Sequence, residues 1–281
     1  MADMTRYESR IENAAGFLSD KGGGCPCWGV ILGSGLGGLA SRIQNEWAVN
    51  TRDIPGWPVS TVSGHEGRLV FGHHAGCSLL VLEGRVHLYE GYSAAEVGLP
   101  VRVLHRLGVR NLVLTNAAGG LNPGFNAGDI MLISDHINLM PCNPLAGYSP
   151  APKEPRFPDM SQVYDPRYLQ AAAGAAEELS LRCRTGILVS TLGPGYETPA
   201  EVRMMQRLGG DAVCMSTVPE AMAAVPLGLR VLGLSLISNA AAGLKERKLS
   251  HEDVQRAANR ASDSMHALIL KVIEKVKQEQ G

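Results

Sequence analysis

Short apolar runs alternate with segments of helical periodicity along most of the chain, and this alternation constrains the fold more than any other feature. Short apolar runs are typical of buried strands, whereas apolar residues three or four positions apart are typical of helices that pack by one face. The predicted strands are residues 28–32, 68–72, 78–82, 111–115, 130–133, 185–191, 212–215 and 229–238. The predicted helices are residues 5–19, 93–107, 166–179, 199–208 and 251–277. The pattern predicts an α/β fold in which helices flank a central sheet that is mostly parallel or mixed.

The composition is that of an ordinary globular protein. Of the 281 residues, 45% are hydrophobic and 19% are charged. Because the sequence has neither repeats nor an evident linker, we expect one domain over residues 1–281. The formal net charge of −1 argues against broad binding to nucleic acid, which needs clustered Lys and Arg. No apolar stretch approaches the roughly 18 residues of a membrane span, and residues 1–20 lack the apolar core of a signal peptide. We therefore expect a cytoplasmic protein with no membrane partner.

The six cysteines predict neither a metal site nor a disulfide framework. Cys25 and Cys27 have C-x-C spacing, which differs from that of a thioredoxin-like pair, and no second cysteine pair completes a zinc site. We interpret the cysteines as reduced thiols, most of them buried as small hydrophobic side chains. No metal is expected.

Gly33, Gly35 and Gly38 follow the first predicted strand with the G-x-G-x-x-G spacing of a dinucleotide-binding turn. Such a fold also needs an acidic residue at the end of a second strand about 20 residues further on. Asp53 lies at about that distance, but no apolar run precedes it. Taken alone, the glycines fit either a nicotinamide-dependent oxidoreductase or a tight turn. The segment does place Ser34 at a predicted helix start, where backbone N–H groups and a hydroxyl bind an anion well.

Residues 83–92 carry a second set of groups that suit an anion. Period-two spacing places Arg85, His87 and Tyr89 on one face of an extended segment. Arginine offers a rigid fork of donors, histidine a switchable donor and tyrosine a donor on a rigid ring. The same pattern also fits a solvated edge strand.

Small and hydroxyl-bearing residues follow two other predicted strands. Residues 115–120, TNAAGG, would let a ligand approach the backbone closely, although a tight turn has the same composition. Thr217 and Glu220 form a capping box, which leaves Ser216 at a helix N-terminus that suits an anion. Because ligands bind at the carboxyl ends of strands in α/β sheets, we expect these segments to line one site.

In this order along the chain, the motifs closely resemble those of purine nucleoside phosphorylases of the homotrimeric type. The resemblance covers about residues 31–254. The segments that carry it are GSGLGGL (33–39), VSGHEGRLVFG (62–72), GRVHLYEGY (84–92), TNAAGGLNP (115–123), GDIMLISDHINL (128–139), GPGYETPAE (193–201), GGDAVCMSTVPE (209–220) and SLISNAAAG (235–243). It implies a nucleoside phosphorylase fold in which the glycine loop binds phosphate. It also implies purine salvage chemistry, in which phosphate splits inosine, guanosine and their deoxy forms into a free base and (deoxy)ribose 1-phosphate.

The resemblance further implies a ligand set, matched motif by motif. The implied phosphate ligands are Ser34, His65, Arg85, His87, the backbone N–H of Ala117, and Ser216. The implied nucleoside contacts are Tyr89, Ala117, Tyr196, Glu197, Val213, Met215, Asn239 and His251. Inorganic phosphate would be a co-substrate, with no further cofactor and no metal. The assembly would be a homotrimer.

Three of these residues carry the implied catalytic roles. Glu197 would hold N1–H and any 2-amino group of the purine, and Asn239 would hold O6 and N7. His87 would face the phosphate, oriented by Glu90. A methylthioadenosine phosphorylase is the alternative within the family, and it would be expected to carry an aspartate in place of Asn239.

The sequence departs from the family pattern in three places. Family members place an aromatic residue of a neighbouring subunit over the ribose, and a gapless match puts Lys153 at that position. Tyr148 is the candidate to replace it. Cys214 stands where glycine is usual, and residues 220–226 lack the Ala-Arg-His that commonly follows there.

Overall fold

The computed structural model describes residues 2–62, 67–147, 155–244 and 251–280, with side chains except at residues 2–4, 251–260 and 280. Its strands are β1 (Trp28–Leu32), β2 (Gln44–Asn50), β3 (Arg68–His74), β4 (Cys77–Glu83), β5 (Asn111–Gly120), β6 (Ile130–Asn138), β7 (Cys183–Ser190), β8 (Ala212–Cys214) and β9 (Arg230–Ala240). Its α-helices are α1 (Ala2–Ser19), α2 (Ala94–Arg106), α3 (Pro166–Glu178), α4 (Pro199–Arg207), α5 (Val218–Ala224) and α6 (His251–Gln280). Each strand and helix predicted from the sequence is present, with ends that differ by a few residues.

The strands form one nine-stranded sheet in the order β2-β3-β4-β1-β5-β8-β7-β6-β9. Because β9 also pairs with β5, the five strands from β5 to β9 close on themselves. The sheet is mixed, because it contains both parallel pairs (β1 with β4 and β5, β5 with β9, β6 with β7, β7 with β8) and antiparallel pairs (β2 with β3, β3 with β4, β5 with β8, β6 with β9). The predicted α/β fold with a central mixed sheet is therefore confirmed.

Two hydrophobic cores cover the two faces of the sheet. On one face, α1, α2 and α5 pack through residues such as Leu18, Leu99 and Ala221. On the other face, α3 and α6 pack through residues such as Ala172 and Leu268. Strand β1 contributes alternate side chains to the two cores, which is why its sequence is apolar throughout. Among the described helices, none is long and apolar enough to cross a membrane.

Strand β2 is the element that the sequence did not predict. Its residues, QNEWAVN, are mostly exposed, and it pairs antiparallel with β3 at the edge of the sheet. It is held there by long-range contacts, including the stacking of Trp47 on Phe71 at 5.5 Å between ring centroids. Asp53 follows it in a short 3₁₀ helix, Thr51–Asp53. Because β2 lies at the far edge and not beside β1, this segment is not the second strand of a dinucleotide fold.

The cysteine prediction is partly wrong. All six are free thiols, as expected, but most are not fully buried. Cys77 and Cys214 are buried, Cys25 is exposed, and the other three are half-buried. Within the described part of the chain, His, Cys, Asp and Glu side chains form no group of three or more that could hold a metal ion.

Candidate active site

A cavity opens where several strands end, and its empty volume is about 740 Å³, which includes open solvent at its mouth. The segments after β1, β4 and β8 contribute to its wall, together with the last residues of β5 and β9. The residues predicted for the site that line this cavity are Ser34, Arg85, His87, Tyr89, Ala117, Tyr196, Glu197, Val213, Met215, Ser216 and Asn239. They come from segments far apart in the chain, and the fold brings them to one place.

Two predicted site residues cannot be compared with this cavity. His65 lies outside the described residues. His251 begins α6, but its side chain is outside the described part of the structure. The candidate intersubunit residues, Tyr148 and Lys153, also lie outside the described residues.

The glycine loop is a turn, and the expected helix start at Ser34 is wrong. Leu36 N donates to Gly33 O at 3.1 Å, and a short 3₁₀ helix, Leu39–Arg42, follows. Gly33 is needed for close packing, because a Cβ there would lie 2.8 Å from the Cα of Asn116 on β5. Gly38 has a φ of 95°, which favours glycine, and its N–H donates to Glu83 Oε1 at 2.9 Å. The loop thus brings Ser34 to the cavity by backbone packing against β5.

Arg85 lines the cavity, and its side chain is almost fully buried. Nη1 donates to Thr115 O at 2.7 Å, and Nη2 donates to Ile31 O at 3.2 Å. Nε forms an ion pair with Glu220 Oε1 at 3.0 Å. A buried guanidinium with this many acceptors is rigid, so it presents a fixed positive charge to the cavity.

His87 is oriented by a buried carboxylate, as predicted. Glu90 Oε1 accepts from both His87 Nδ1 and His87 N, each at 2.8 Å. Because an ionised carboxylate can only accept, Nδ1 carries the proton, and the other ring nitrogen points away from Glu90. Burial raises the pKa of Glu90, but hydrogen bonds from His87 and Thr61 outweigh it and hold the pKa at about 2. Glu90 therefore stays ionised throughout the neutral range.

Tyr89 stacks on His87 with 4.6 Å between ring centroids. The segment is not extended as predicted, because Leu88–Glu90 forms one 3₁₀ turn. Arg85, His87 and Tyr89 still line the same cavity, since the turn redirects Tyr89. Burial raises the pKa of Tyr89 to about 12, and the nearby Glu90 and Tyr196 act in the same direction. The phenol is therefore a neutral hydroxyl donor at physiological pH.

Ser216 enters the cavity wall from a strained turn. Val218 N donates to Ser216 O at 2.7 Å across Thr217, whose φ and ψ are 69° and −49°. These values belong to a γ-turn of the rare positive-φ type, which a β-branched residue adopts only under constraint. Ser190 Oγ also donates to Ser216 O at 2.9 Å.

Asn239 and Glu197 supply the polar groups expected to meet a purine edge. Asn239 Nδ2 donates to Ala240 O at 2.9 Å, and Ser238 Oγ donates to Asn239 Oδ1 at 2.6 Å. Because Ala240 O is only an acceptor, these contacts assign the amide orientation. Thr191 Oγ1 donates to Glu197 Oε1 at 2.8 Å.

Apolar contacts surround these groups. Tyr196, Val213 and Met215 line the cavity, and Tyr196 is partly exposed at its mouth. Gly193 has a φ of 67°, and a Cβ there would lie 2.3 Å from Met215 Sδ. Glycine at position 193 therefore leaves space for the side chain of Met215.

Several polar residues of the site were missed in the sequence. Asn116 and Ser238 line the cavity on β5 and β9, while Thr191, Thr217 and Glu220 hold residues of its wall. Asn116 Nδ2 donates to Thr217 Oγ1 at 3.0 Å, and its Oδ1 is buried with no hydrogen-bond partner among the described residues. Asn116 directly follows the predicted strand 111–115, and a polar residue at the carboxyl end of a strand is the local signal that points to it. The capping box predicts only a helix cap for Glu220.

Comparison with known proteins shows what this geometry resembles. Residues 28–274 match the family model of the phosphorylase superfamily. Purine nucleoside phosphorylase 1 of Geobacillus stearothermophilus is 52% identical over 244 residues, which cover 87% of this chain and 89% of that protein.

Solved structures agree with the sequence matches. Purine nucleoside phosphorylase of Schistosoma mansoni in complex with inosine aligns with a TM-score of 0.89 and 36% identity, covering 95% of this chain and 96% of that one. The same enzyme in complex with adenosine aligns with the same score and identity, covering 95% and 97%. The chain therefore belongs to the purine nucleoside phosphorylase family of the phosphorylase superfamily.

Proposed function

We propose that the chain cleaves 6-oxopurine nucleosides with inorganic phosphate. Inosine, guanosine and their deoxy forms would give hypoxanthine or guanine and (deoxy)ribose 1-phosphate, a salvage reaction. The observation that carries the proposal is that one cavity contains both anion-binding groups, Arg85 and Ser216, and a base-binding pair, Glu197 and Asn239. An enzyme that joins phosphate to the sugar of a nucleoside needs both sets in one place.

The phosphate half of the cavity supplies charge and position. Arg85 brings a rigid positive charge, and Ser34, His87, Ser216 and the N–H of Ala117 bring donors that a phosphate dianion accepts. His65 is a further candidate ligand. Phosphate attacks C1′ from the face opposite the base as the N9–C1′ bond breaks. Its negative charge stabilises the oxocarbenium-like ribosyl group, so catalysis needs positioning and electrostatics without a covalent nucleophile.

The base half stabilises the leaving group. The electron pair of the breaking bond passes into the purine ring, and negative charge builds at N7 and O6. The amide of Asn239 donates to N7 as this charge grows, while Glu197 accepts from N1–H. Tyr196, Val213 and Met215 enclose the ring, and an apolar enclosure strengthens these polar contacts. Tyr89 and His251 are the proposed partners of the ribose hydroxyls.

The alternatives are less well supported. A methylthioadenosine phosphorylase is expected to have an aspartate where this chain has Asn239. The alternative of a nicotinamide-dependent oxidoreductase has only the spacing of the glycine loop as support. Packing against β5 explains the glycine at position 33. We propose no cofactor besides phosphate as co-substrate, and no metal.

We also propose a cytoplasmic homotrimer whose nucleoside site borrows an aromatic residue from its neighbour. Phe157 is 89% exposed, and a large aromatic side chain this exposed is typical of an interface. It lies two positions beyond the loop 146–155, where the family's borrowed aromatic is expected. Tyr148 is the other candidate.

Incubation of the protein with inosine tests the reaction. We expect hypoxanthine and ribose 1-phosphate in equal amounts, with no added cofactor and with or without a chelator. Omission of phosphate is the control, and no hypoxanthine should then form. Hypoxanthine released at the same rate without phosphate would indicate a hydrolase and overturn the proposal.

A further inference from the structure

We propose that Glu220 is a positioning residue of the phosphate site, which holds Arg85 with one carboxylate oxygen and the strained turn before Ser216 with the other. The inference rests on the proposed function, because it takes phosphate to be the anion that Arg85 and Ser216 bind. Glu220 was expected only to cap a helix. Its second contact joins two phosphate ligands that lie far apart in the sequence.

The two oxygens of Glu220 have different partners. Oε1 lies 3.0 Å from Arg85 Nε, and Oε2 accepts from Thr217 N at 2.8 Å. The side chains of Arg85 and Glu220 are each 2% exposed. A buried charge must be compensated, so the carboxylate cannot leave this position without leaving the guanidinium unpaired on that side.

Thr217 is the point at which the two ligands meet. Its hydroxyl oxygen lies 3.0 Å from both Arg85 Nη1 and Asn116 Nδ2, and 3.2 Å from Ser216 Oγ. Its φ of 69° is unfavourable for threonine and persists only where the surroundings hold it. The hydrogen bond from Thr217 N to Glu220 Oε2 holds the backbone of the turn, together with those from Val218 N and Ser190 Oγ to Ser216 O.

The direction of Ser216 depends on this turn. Arg85 Nη1 lies 3.2 Å from Ser216 Oγ, so the guanidinium and the hydroxyl present their donors to the same part of the cavity. If the turn relaxed, Ser216 would move away from Arg85. Glu220 therefore sets the spacing between the fixed charge and the hydroxyl without touching the phosphate.

Glu220→Gln is the first test, because glutamine keeps the shape of glutamate and loses its charge. The side-chain oxygen of glutamine can still accept from Thr217 N, but its NH2 group then faces Arg85 Nε. Two donors oppose each other there, and the contact is lost. We expect KM for phosphate to rise about tenfold or more, which is the effect of losing a charge-assisted contact. KM for inosine should stay within about twofold, because Glu220 touches no group of the base half.

Glu96→Gln is the matched control. Glu96 also caps a helix with Oε2, at 3.0 Å from Ser93 N, and also pairs with an arginine through Oε1, at 3.2 Å from Arg10 Nη1. It does not line the cavity. Both KM values should be those of the wild type. An unchanged KM for phosphate in Glu220→Gln, or an equal rise of both KM values, would overturn the proposal.

Two further measurements keep the outcome clear. Stabilisation of the protein by inorganic phosphate, read as a shift in Tm, reports binding even if no phosphorolysis is found, and it should be smaller in Glu220→Gln than in Glu96→Gln. If Glu220→Gln does not fold, Glu220→Asp retains the charge with a shorter reach. It should show the same selective loss of phosphate binding, and equal phosphate binding in Glu220→Asp and wild type would contradict the inference.

Discussion

Arg85 and Glu220 form a buried ion pair, with Nε 3.0 Å from Oε1 and both side chains 2% exposed. Arg85 follows strand β4, whereas Glu220 lies in the first turn of α5. The pair therefore ties two distant segments together at the wall of the cavity. Under the proposed function Arg85 has two roles, since its charge would serve both the phosphate and the buried carboxylate.

Arg85→Ala should weaken the use of phosphate much more than the binding of purine. Arg85 supplies a full charge to the anion and nothing to the base, and loss of a charged hydrogen bond costs about 1.5–3 kcal/mol. Titration of phosphate at saturating inosine measures the effect. An unchanged dependence on phosphate would remove Arg85 from the site.

The same substitution should also lower the free energy of unfolding, by about 3–5 kcal/mol, because Glu220 is left buried and uncompensated. Urea unfolding of Arg85→Ala and of the double variant with Glu220→Gln separates the two roles. We expect the double variant to recover part of the stability and none of the phosphate binding. Recovery of both would mean that Arg85 acts only through the fold.

Asn239 should set the choice of base. A 6-oxopurine presents acceptors at O6 and N7 and a donor at N1, whereas adenosine presents a 6-amino donor and an unprotonated N1 that would face Glu197. Each unpaired buried polar group costs roughly 1–3 kcal/mol, so two mismatches predict about 10²–10⁴-fold discrimination against adenosine. A relative has been solved in complex with inosine and in complex with adenosine, so the measurement is kcat/KM for each nucleoside and not binding.

Asn239→Asp should gain cleavage of adenosine relative to inosine. Aspartate accepts from the 6-amino group and, when protonated, donates to N7. Ser238, which donates to Oδ1 of Asn239, can serve an aspartate in the same way. Comparable wild-type kcat/KM values for adenosine and inosine would refute this assignment of the base edge.

Glu90 should stabilise the fold in a defined range of pH. Its pKa is lowered from 4.5 to about 2, because hydrogen bonds from His87 and Thr61 outweigh the opposing effect of burial. A lowered folded-state pKa means that the stabilisation is complete above about pH 4.5 and is lost as the pH falls toward 2. Urea unfolding of wild type and Glu90→Gln from about pH 6 to pH 3 should show a difference that shrinks with acidity. A difference independent of pH would contradict the role of the charge.

Gly33→Ala should destabilise the protein and disturb the cavity. The added Cβ would lie 2.8 Å from Asn116 Cα, and backbone atoms cannot give way as a flexible side chain does. We expect a loss of about 1–3 kcal/mol in the free energy of unfolding. Gly37→Ala is the control in the same loop, since no atom lies within 4 Å of its added Cβ, and it should change stability by less than about 0.5 kcal/mol. Equal effects would show that Gly33 is not held against β5.

Light scattering should give a mass about three times that of the 29.9 kDa chain. Tyr148→Ala and Phe157→Ala, compared in the same assay, identify the borrowed aromatic residue. The variant that removes it should raise KM for inosine and leave KM for phosphate unchanged. Wild-type KM values in both variants would place the borrowed aromatic elsewhere, and a monomeric mass would refute the trimer.

The local pattern of the sequence predicts most of the elements, because short-range physics decides them. The apolar run Trp28–Leu32 is a strand buried on both faces, and the helical spacing over residues 93–107 corresponds to α2. The sequence does not predict strand β2, because its residues are mostly polar. Pairing with β3 and the stacking of Trp47 on Phe71 hold it in the sheet. Strand pairing depends on the partner strand, so the sequence of the segment alone does not reveal it.

The motifs also predict the members of the candidate site, but only the tertiary structure decides how they are held. The sequence offers Arg85, Ser216 and Glu220 as a donor, a hydroxyl and a helix cap. In the folded chain, the helix cap Glu220 is the counterion of Arg85, and the strained turn at Thr217 orients the hydroxyl of Ser216. Contacts between residues more than a hundred positions apart leave no local periodicity, because they arise from the order in which strands β4, β1, β5 and β8 lie side by side.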